Sequence, residues 1–344
     1  MENSLVVANG AGEVQEAAKT FMGLVDEWLA TPKMQNNRKP KTRETYRATL
    51  LLFSDWLSQR QIVSPTEGNL IEWLNEKNQK TGKELEPATK NLRLSAVKGF
   101  YGWLKSKFGD RVIDITKGQE GYEDSREHKR GFLLDEQMKQ LMRAIDTADL
   151  RGKRKKLSKH DEMMIEIRRV RDRAIIGTLL TVGLRAVEIQ RLRIKDKYHE
   201  GGAVILDVLG KGKNKRVEVK ISAKTEKLID DWLEARKKVD DVPSGEEPMF
   251  ISLSNNSFGE ALTPHAISVL CKFYLEAADL KSDKICCHAL RHSMATNALL
   301  KGATLQQVKE QLRHEQITTS MLYVHTINKL ANPCSDLIAD SIFD

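Results

Sequence analysis

The chain has 344 residues, enough for two domains, and 40% of them are hydrophobic, enough for a packed core in each. Lys and Arg number 56 against 48 Asp and Glu, a net charge of +8 that suits a polyanionic partner such as nucleic acid, or a soluble protein with a mildly basic surface. The four cysteines, Cys271, Cys286, Cys287 and Cys334, form no CxxC pair and are not spaced as a disulfide framework or a zinc site, which points to free thiols in a reducing compartment. The opening MENSLVVANGAGEVQEAAK has no basic start and only a short apolar run, so no signal peptide is expected. No stretch approaches transmembrane length, so the expectation is a soluble intracellular protein without a membrane partner.

Residues 1–15 read as a loose tail, and residues 16–112 as a helical domain. In EAAKTFMGLVDEWLA, Phe21, Leu24, Val25, Trp28 and Leu29 fall on one helical face. TRETYRATLLLFSDWLSQR follows a Pro-Lys pair, with Thr42 as its expected N-cap and Leu50, Phe53, Trp56 and Leu57 facing inward. PTEGNLIEWLNEKN and PATKNLRLSAVKGFYGWLKSKFG make a third and fourth helix, so this part is expected to be a bundle of about four. Polar, glycine-containing residues up to 131 lose the apolar period and give a linker at 113–131; residues 132–344 form a second domain, with a tail from about 326. FLLDEQMKQLMRAID restarts a helix with Asp135 near its cap. RGKRKKLSKH, residues 151–160, carries six basic residues and no acid, as a solvated loop or a contact to a DNA backbone.

RRVRDRAIIGTLLTVGLRAVEIQRL is an apolar helix interrupted at Val182-Gly183, with a second helix after it. The clear β signal is AVILDVLGKGKNKRVEVKIS: Val204, Leu206 and Val208 alternate, then Val217, Val219 and Ile221, across a lysine-rich turn. Helices are expected again at 224–238, 263–278, 288–301 and 304–313, and a short one around Tyr323. The fold class is therefore mainly α with a small antiparallel β-hairpin.

Four separated segments hold polar residues that a plain core does not need. Arg185 follows Gly183 at the bend between apolar helices, with Glu188 one turn on. Lys211 lies in the turn GKGKNKR. HALRHSMAT places His288 and Arg291 three apart on one helix face. His314 and Tyr323 follow, nine positions apart. Taken singly, each has an ordinary explanation: a salt bridge, a solvated lysine, a core tyrosine. His288 and His292 are half a metal site at most, since neither an HExxH glutamate nor a third ligand is near.

In this order, the set resembles the tyrosine recombinase family of phage integrases and Xer-like site-specific recombinases. Arg185 in TVGLRAVEIQRL, Lys211 in GKGKNKR, His288 and Arg291 in HALRHSMAT, His314 in LRHEQ and Tyr323 in SMLYVH match the family's Arg, hairpin Lys, HxxR pair, His and nucleophilic Tyr. The likeness is close over roughly 132–330 and looser before it. The chain departs from the family at Arg313, where a glycine is usual, which would shift a helix cap or add a phosphate contact. Lys213 or Lys215 can stand in for Lys211, and the 151–160 stretch looks like an insertion.

The resemblance implies an N-terminal core-binding, SAM-like domain and a C-terminal catalytic domain, clamping the duplex between them. It implies that Arg185 and Arg291 hold the non-bridging oxygens of the scissile phosphate, joined by His314. Tyr323 then attacks phosphorus, with His288 as base or relay and Lys211 protonating the leaving 5′-oxygen. Glu188 would anchor Arg185 or a neighbour, and His292 would support the same site. Tyr274 is the next tyrosine to test should Tyr323 not be the nucleophile. Arg38, Lys39, Lys41 and Arg43 at a helix start, Lys90, Arg93 and Lys98 in the fourth helix, and Lys213 and Lys215 are the candidate DNA contacts. No cofactor and no metal is implied.

The implied partners are double-stranded DNA recombination sites, a homotetramer on DNA, and accessory DNA-bending or directionality factors. The expected setting is the cytoplasm and nucleoid of a bacterial or phage-type system. Integration, excision and resolution remain open, and the C-terminal tail, with Leu330, Leu337, Ile338 and Ile342, docks on a neighbouring protomer or on its own domain. A type IB topoisomerase-like or telomere-resolving enzyme, and a catalytically inactive DNA-binding relative, are the alternatives.

Overall fold

A computed structural model describes residues 11–78, 81–123, 131–152, 156–210, 216–240, 244–282 and 285–313. The chain divides into two compact units, Met1–Arg126 and Glu127–Asp344.

The first unit consists of helices α1 (Ala11–Ala30), α2 (Pro32–Asn37), α3 (Pro40–Gln59), α4 (Glu67–Leu74) and α5 (Pro87–Phe108). Three of the five begin on a proline, whose fixed φ and missing N–H suit the first helical position. This explains one correction: α3 is capped at Lys39, with Pro40 next, and Thr42 already lies inside the helix. A second correction concerns the expected tail, since helix already covers residues 11–15. The short α2 was not foreseen, because six residues carry too little periodicity to be seen. Thr66 and Asn69 cap α4 reciprocally: the Thr66 hydroxyl accepts from the Asn69 N–H at 3.3 Å, and Asn69 Oδ1 accepts from the Thr66 N–H at 2.9 Å.

The apolar faces of these helices meet in one core around Val25, Trp28, Leu50, Phe53, Trp73 and Phe100. Each such side chain removed from water stabilises the unit by about 1.5–3 kcal/mol. Trp28 stacks on Tyr46 with ring centroids 6.0 Å apart. It also approaches α5 so closely that a Cβ at Gly99 would lie 2.9 Å from its ring. The expected linker at 113–131 is not free over its first part. Ile115 and Thr116 are buried, and Asn91 clasps Tyr122 by donating to its carbonyl at 2.9 Å and accepting from its N–H at 2.8 Å.

In the second unit the order is α6 (Asp135–Thr147), α7 (Lys159–Val182), α8 (Ala186–Arg191), strands β1 (Lys197–Glu200), β2 (Ala203–Leu209) and β3 (Arg216–Ile221), then α9 (Ala223–Arg236), α10 (Pro264–Ala277), α11 (Cys287–Leu300) and α12 (Leu305–Leu312). The strands form an antiparallel sheet in the order β1-β2-β3, with Val204 opposite Ile221 and Leu209 opposite Arg216. Val204, Leu206 and Val208 turn inward from β2, as the alternation requires. β1, the edge strand KYHE, was not foreseen: four residues, partly or fully exposed, carry no apolar alternation.

At the centre of the second unit runs α7, with Ala174, Ile175, Ile176 and Leu179 fully buried. Gly177 lets α9 come close, since a Cβ there would lie 2.4 Å from Leu228 Cδ1. The chain entering α6 is held by α11: Ser293 Oγ accepts from the Leu133 N–H at 2.8 Å, and Asn297 Nδ2 donates to the Leu133 carbonyl at 2.7 Å. Cys271, Cys286 and Cys287 are free thiols. Among the described residues, no helix is long and apolar enough to cross a membrane.

Candidate active site

The site is organised by the corner between α7 and α8. Gly183 ends α7 in the left-handed conformation, φ 69°, which only glycine adopts without strain. Arg185 then takes an extended backbone and becomes the N-cap of α8, and Glu188 sits at the third position of that helix. Glu188 is fully buried. One carboxylate oxygen accepts from the Arg185 backbone N–H at 2.9 Å, and the other accepts from Arg185 Nη1 at 2.7 Å.

Two more guanidiniums converge here from distant parts of the chain. Arg313, just past the end of α12, donates from Nη2 to Glu188 Oε2 at 2.8 Å and to the Gly183 carbonyl at 3.3 Å. Arg291, from α11, donates to the carbonyls of Gly183 and Leu312, and its Nη1 lies 3.9 Å from Glu188 Oε2. Burial acts to raise the Glu188 pKa. The positive charge of Arg313, the Arg185 N–H and the charges of Arg185 and Arg291 outweigh it and hold the carboxyl below its ordinary value. Three guanidiniums and one carboxylate give the group a formal charge of +2, which suits an anion. Arg185 keeps 24% of its side chain exposed, whereas Arg291 keeps 2% and Arg313 4%. Arg185 is therefore the most exposed of the three guanidiniums, and Arg291 and Arg313 are buried.

His288 stands one helical turn before Arg291 on α11, half-buried, with the His292 ring edge-on at 5.5 Å. Arg191, at the end of α8, donates to the Gly210 carbonyl at 3.0 Å. This ties the helix capped by Arg185 to the base of the hairpin that carries Lys211. Lys211, Lys213 and Lys215 themselves lie outside the described residues, as do His314, Tyr323 and the tail after it. Leu312 and the Arg313 side chain, both buried, reach this corner through Arg291 and the Gly183 carbonyl.

Tyr274 is excluded as a substitute nucleophile. It is fully buried, and its hydroxyl donates to Asp172 at 3.0 Å within a cluster that Arg171 completes from below, donating to the same carboxylate at 2.7 Å. Burial and the Asp172 charge push its pKa up, away from ionisation.

Among the candidate DNA contacts of the first unit, Lys39 caps α3, Lys41 pairs with Glu44 at 3.0 Å, and Arg43 donates to the Gln35 carbonyl at 3.2 Å. Arg38 directly precedes that cap and is exposed. On α5, Lys90 donates to Asn75 at 2.7 Å, Arg93 lies over the Trp73 ring and donates to the Trp73 carbonyl at 2.9 Å, and Lys98 holds the Gln119 carbonyl. These three therefore also fasten α5 to its surroundings. Among the described residues, no group of three or more His, Cys, Asp or Glu is placed to hold a metal ion. Sequence reasoning missed Arg313 as a member of the arginine cluster. Its signal was a basic residue where a glycine was expected, but the direction of its side chain depends on how α12 packs against α7.

Comparison with known proteins gives the same answer along both parts of the chain. Residues 131–329 match the phage integrase family, and residues 25–107 match the N-terminal SAM-like domain of phage integrases. Tyrosine recombinase XerD of Lacticaseibacillus casei is 28% identical over 310 residues, covering 89% of this chain and 95% of its own. Tyrosine recombinase XerC of Proteus mirabilis is 27% identical over 315 residues, covering 91% and 92%. In fold, the chain is similar to the XerH site-specific recombinase bound to a palindromic difH substrate in a post-cleavage complex, with a TM-score of 0.69 at 23% identity over 97% of this chain and 90% of that one. It is also similar to a lambda integrase dimer bound to a COC′ core site, with a TM-score of 0.61 at 14% identity over 88% and 76%. The mainly α architecture with its small sheet, the SAM-like and catalytic parts, and the family match across more than half of the chain lead to one conclusion: this protein belongs to the phage integrase, or tyrosine recombinase, family.

Proposed function

We propose that the protein is a site-specific DNA recombinase that cuts and rejoins strands through a covalent 3′-phosphotyrosyl link to Tyr323. The observation that carries this reading is the convergence of Arg185 and Arg291 on the buried Glu188, although the two arginines are 106 residues apart in the chain. A phosphodiester resists attack because its anionic oxygens repel a nucleophile. Fixed guanidiniums at the non-bridging oxygens offset the charge that gathers there in the transition state, and losing one such donor typically slows a reaction by about 10²- to 10³-fold.

In this reading Arg185 and Arg291 grip the scissile phosphate and His314 adds a further donor. Tyr323, with an ordinary pKa near 10, gives its proton to His288 as it attacks phosphorus. Lys211, on the hairpin tied to α8 through Arg191, protonates the departing 5′-oxygen. The phosphotyrosyl bond keeps the energy of the bond broken, so a 5′-hydroxyl from a second strand can attack it, release Tyr323 and reseal the DNA without ATP. Two rounds on paired duplexes pass through a Holliday junction. This requires two DNA sites and four protomers, with accessory DNA-bending or directionality factors acting on that assembly. In this reading the work is done in the bacterial cytoplasm, the setting that the similarity to bacterial recombinases supports.

The test is a nicked suicide duplex carrying a candidate site from the protein's own genomic neighbourhood. Wild type is expected to form a protein–DNA adduct that survives SDS, and Tyr323→Phe is expected to form none. Equal adducts in both would move the nucleophile elsewhere. No adduct from wild type, despite tight and site-selective binding, would overturn the catalytic reading. Recombinants between two separate sites would separate a recombinase from a topoisomerase-like enzyme.

A further inference from the structure

Arg313 carries two costs that the reaction described above does not explain. It adopts a left-handed backbone, φ 58°, which strains a residue with a side chain and which glycine would adopt freely. Its guanidinium is also buried, and that burial pulls its pKa down despite the neighbouring Glu188 charge. It points inward, with Nη2 on Glu188 Oε2 at 2.8 Å and Nη1 on the Gln311 carbonyl at 2.6 Å.

What the contact achieves follows from the geometry around Glu188. Oε1 holds Arg185 Nη1, while Oε2 receives Arg313 and the Arg185 backbone N–H. Arg291 Nη1 stands 3.9 Å from the same Oε2, beyond hydrogen-bond range, and donates instead to the Gly183 carbonyl. A shift of roughly 1 Å would bring it into a direct bond with the carboxylate. A guanidinium displaced by that much leaves the position from which it would answer the charge developing on a phosphate.

We propose that Arg313 is a positioning residue for strand cleavage: by occupying Glu188 Oε2, it keeps that carboxylate from capturing Arg291. This rests on the reading of the chain as a DNA-cleaving recombinase. A direct phosphate contact by Arg313 is the competing role, and it makes different predictions for DNA binding.

The experiment measures single-turnover adduct formation on the nicked duplex at saturating protein, alongside DNA affinity across a salt series. It compares wild type, Arg313→Gln, Arg313→Lys, Arg313→Gly, Glu188→Gln and the Arg313→Gln/Glu188→Gln double variant. Arg313→Gln is expected to slow adduct formation at saturation by about 10²-fold, the scale of a roughly 1 Å misplacement, with affinity and its salt dependence unchanged. Arg313→Gly, which suits the backbone, is expected to be slowed as much, and Arg313→Lys is expected to recover part of the rate. The double variant is expected to be no slower than Glu188→Gln alone, because no carboxylate remains to capture Arg291. Weaker binding with a salt slope lower by about one, and an unchanged saturated rate, would make Arg313 a phosphate contact and overturn the proposal. Additive losses in the double variant would overturn it as well. A wild type that forms no adduct sinks the recombinase reading and this one together, whereas an active wild type matched by Arg313→Gln sinks this one alone.

Discussion

Glu188 grips Arg185 at both ends, accepting its backbone N–H at 2.9 Å through one oxygen and its Nη1 at 2.7 Å through the other. A single side chain thereby caps α8, fixes the most exposed guanidinium, and supplies the only carboxylate among the three arginines described at this corner.

Replacing Glu188 with Gln keeps the shape and removes the charge. Taking one member from a buried ion pair is expected to cost about 3 kcal/mol near neutral pH, because three guanidiniums then face one another. The pH dependence has a definite sign. The folded-state pKa lies below the ordinary 4.5, so the unfolded chain binds this proton more readily. The stabilisation is fully present above that ordinary value and is lost as pH falls through the folded-state value. Urea denaturation of wild type and Glu188→Gln should therefore show a gap that is constant near neutrality and narrows as pH falls below 4.5.

Gly183→Ala should damage the corner from the backbone. At φ 69° a Cβ would lie 2.5 Å from Met294 Cε and 2.7 Å from Leu312 Cδ2. The left-handed conformation costs alanine about 1–2 kcal/mol, and crowding two core side chains adds about 1–3 kcal/mol. The Gly183 carbonyl also receives Arg291 and Arg313, so adduct formation should fall together with the melting temperature.

Tyr274→Phe should leave adduct formation intact. Its hydroxyl donates to Asp172, which Arg171 also holds, so the loss is one buried hydrogen bond to a charged group, about 1.5–3 kcal/mol. A destabilised variant with an undiminished adduct on the suicide duplex is the expected result. Loss of the adduct at temperatures where the variant is folded would contradict the structural role assigned to this cluster.

Asn297→Ala should loosen the entry to α6. Asn297 Nδ2 donates to the carbonyls of Leu133 and Ser293, both at 2.7 Å, and the Leu133 carbonyl is buried at that point. Leaving it unsatisfied is expected to cost about 2 kcal/mol, measured as a shift of the denaturation midpoint without a change in slope.

The sequence by itself determined whatever depends on near neighbours in the chain. The apolar periods of α3 and α5, the stop at Gly183 and the alternation of Val204, Leu206 and Val208 against Val219 and Ile221 are local properties of backbone and side chain. Where two local signals competed, at Pro40 against Thr42, the stiffer constraint of the proline ring won. β1 was invisible because four residues, none of them fully buried, have no period, and the docking of Ile115 because a single apolar residue in a polar stretch has none either.

Order and spacing singled out Arg185, Glu188 and Arg291. They carry no information about which guanidinium meets which oxygen. That depends on α7, α11 and α12 meeting at Gly183, through contacts spanning more than 100 residues. Arg313 is the clearest case: sequence left it between a cap and a phosphate contact, and packing turned its side chain inward onto Glu188. Burial is the physical reason. A charged group removed from water must find its partner wherever the fold places one, and that place is set in three dimensions.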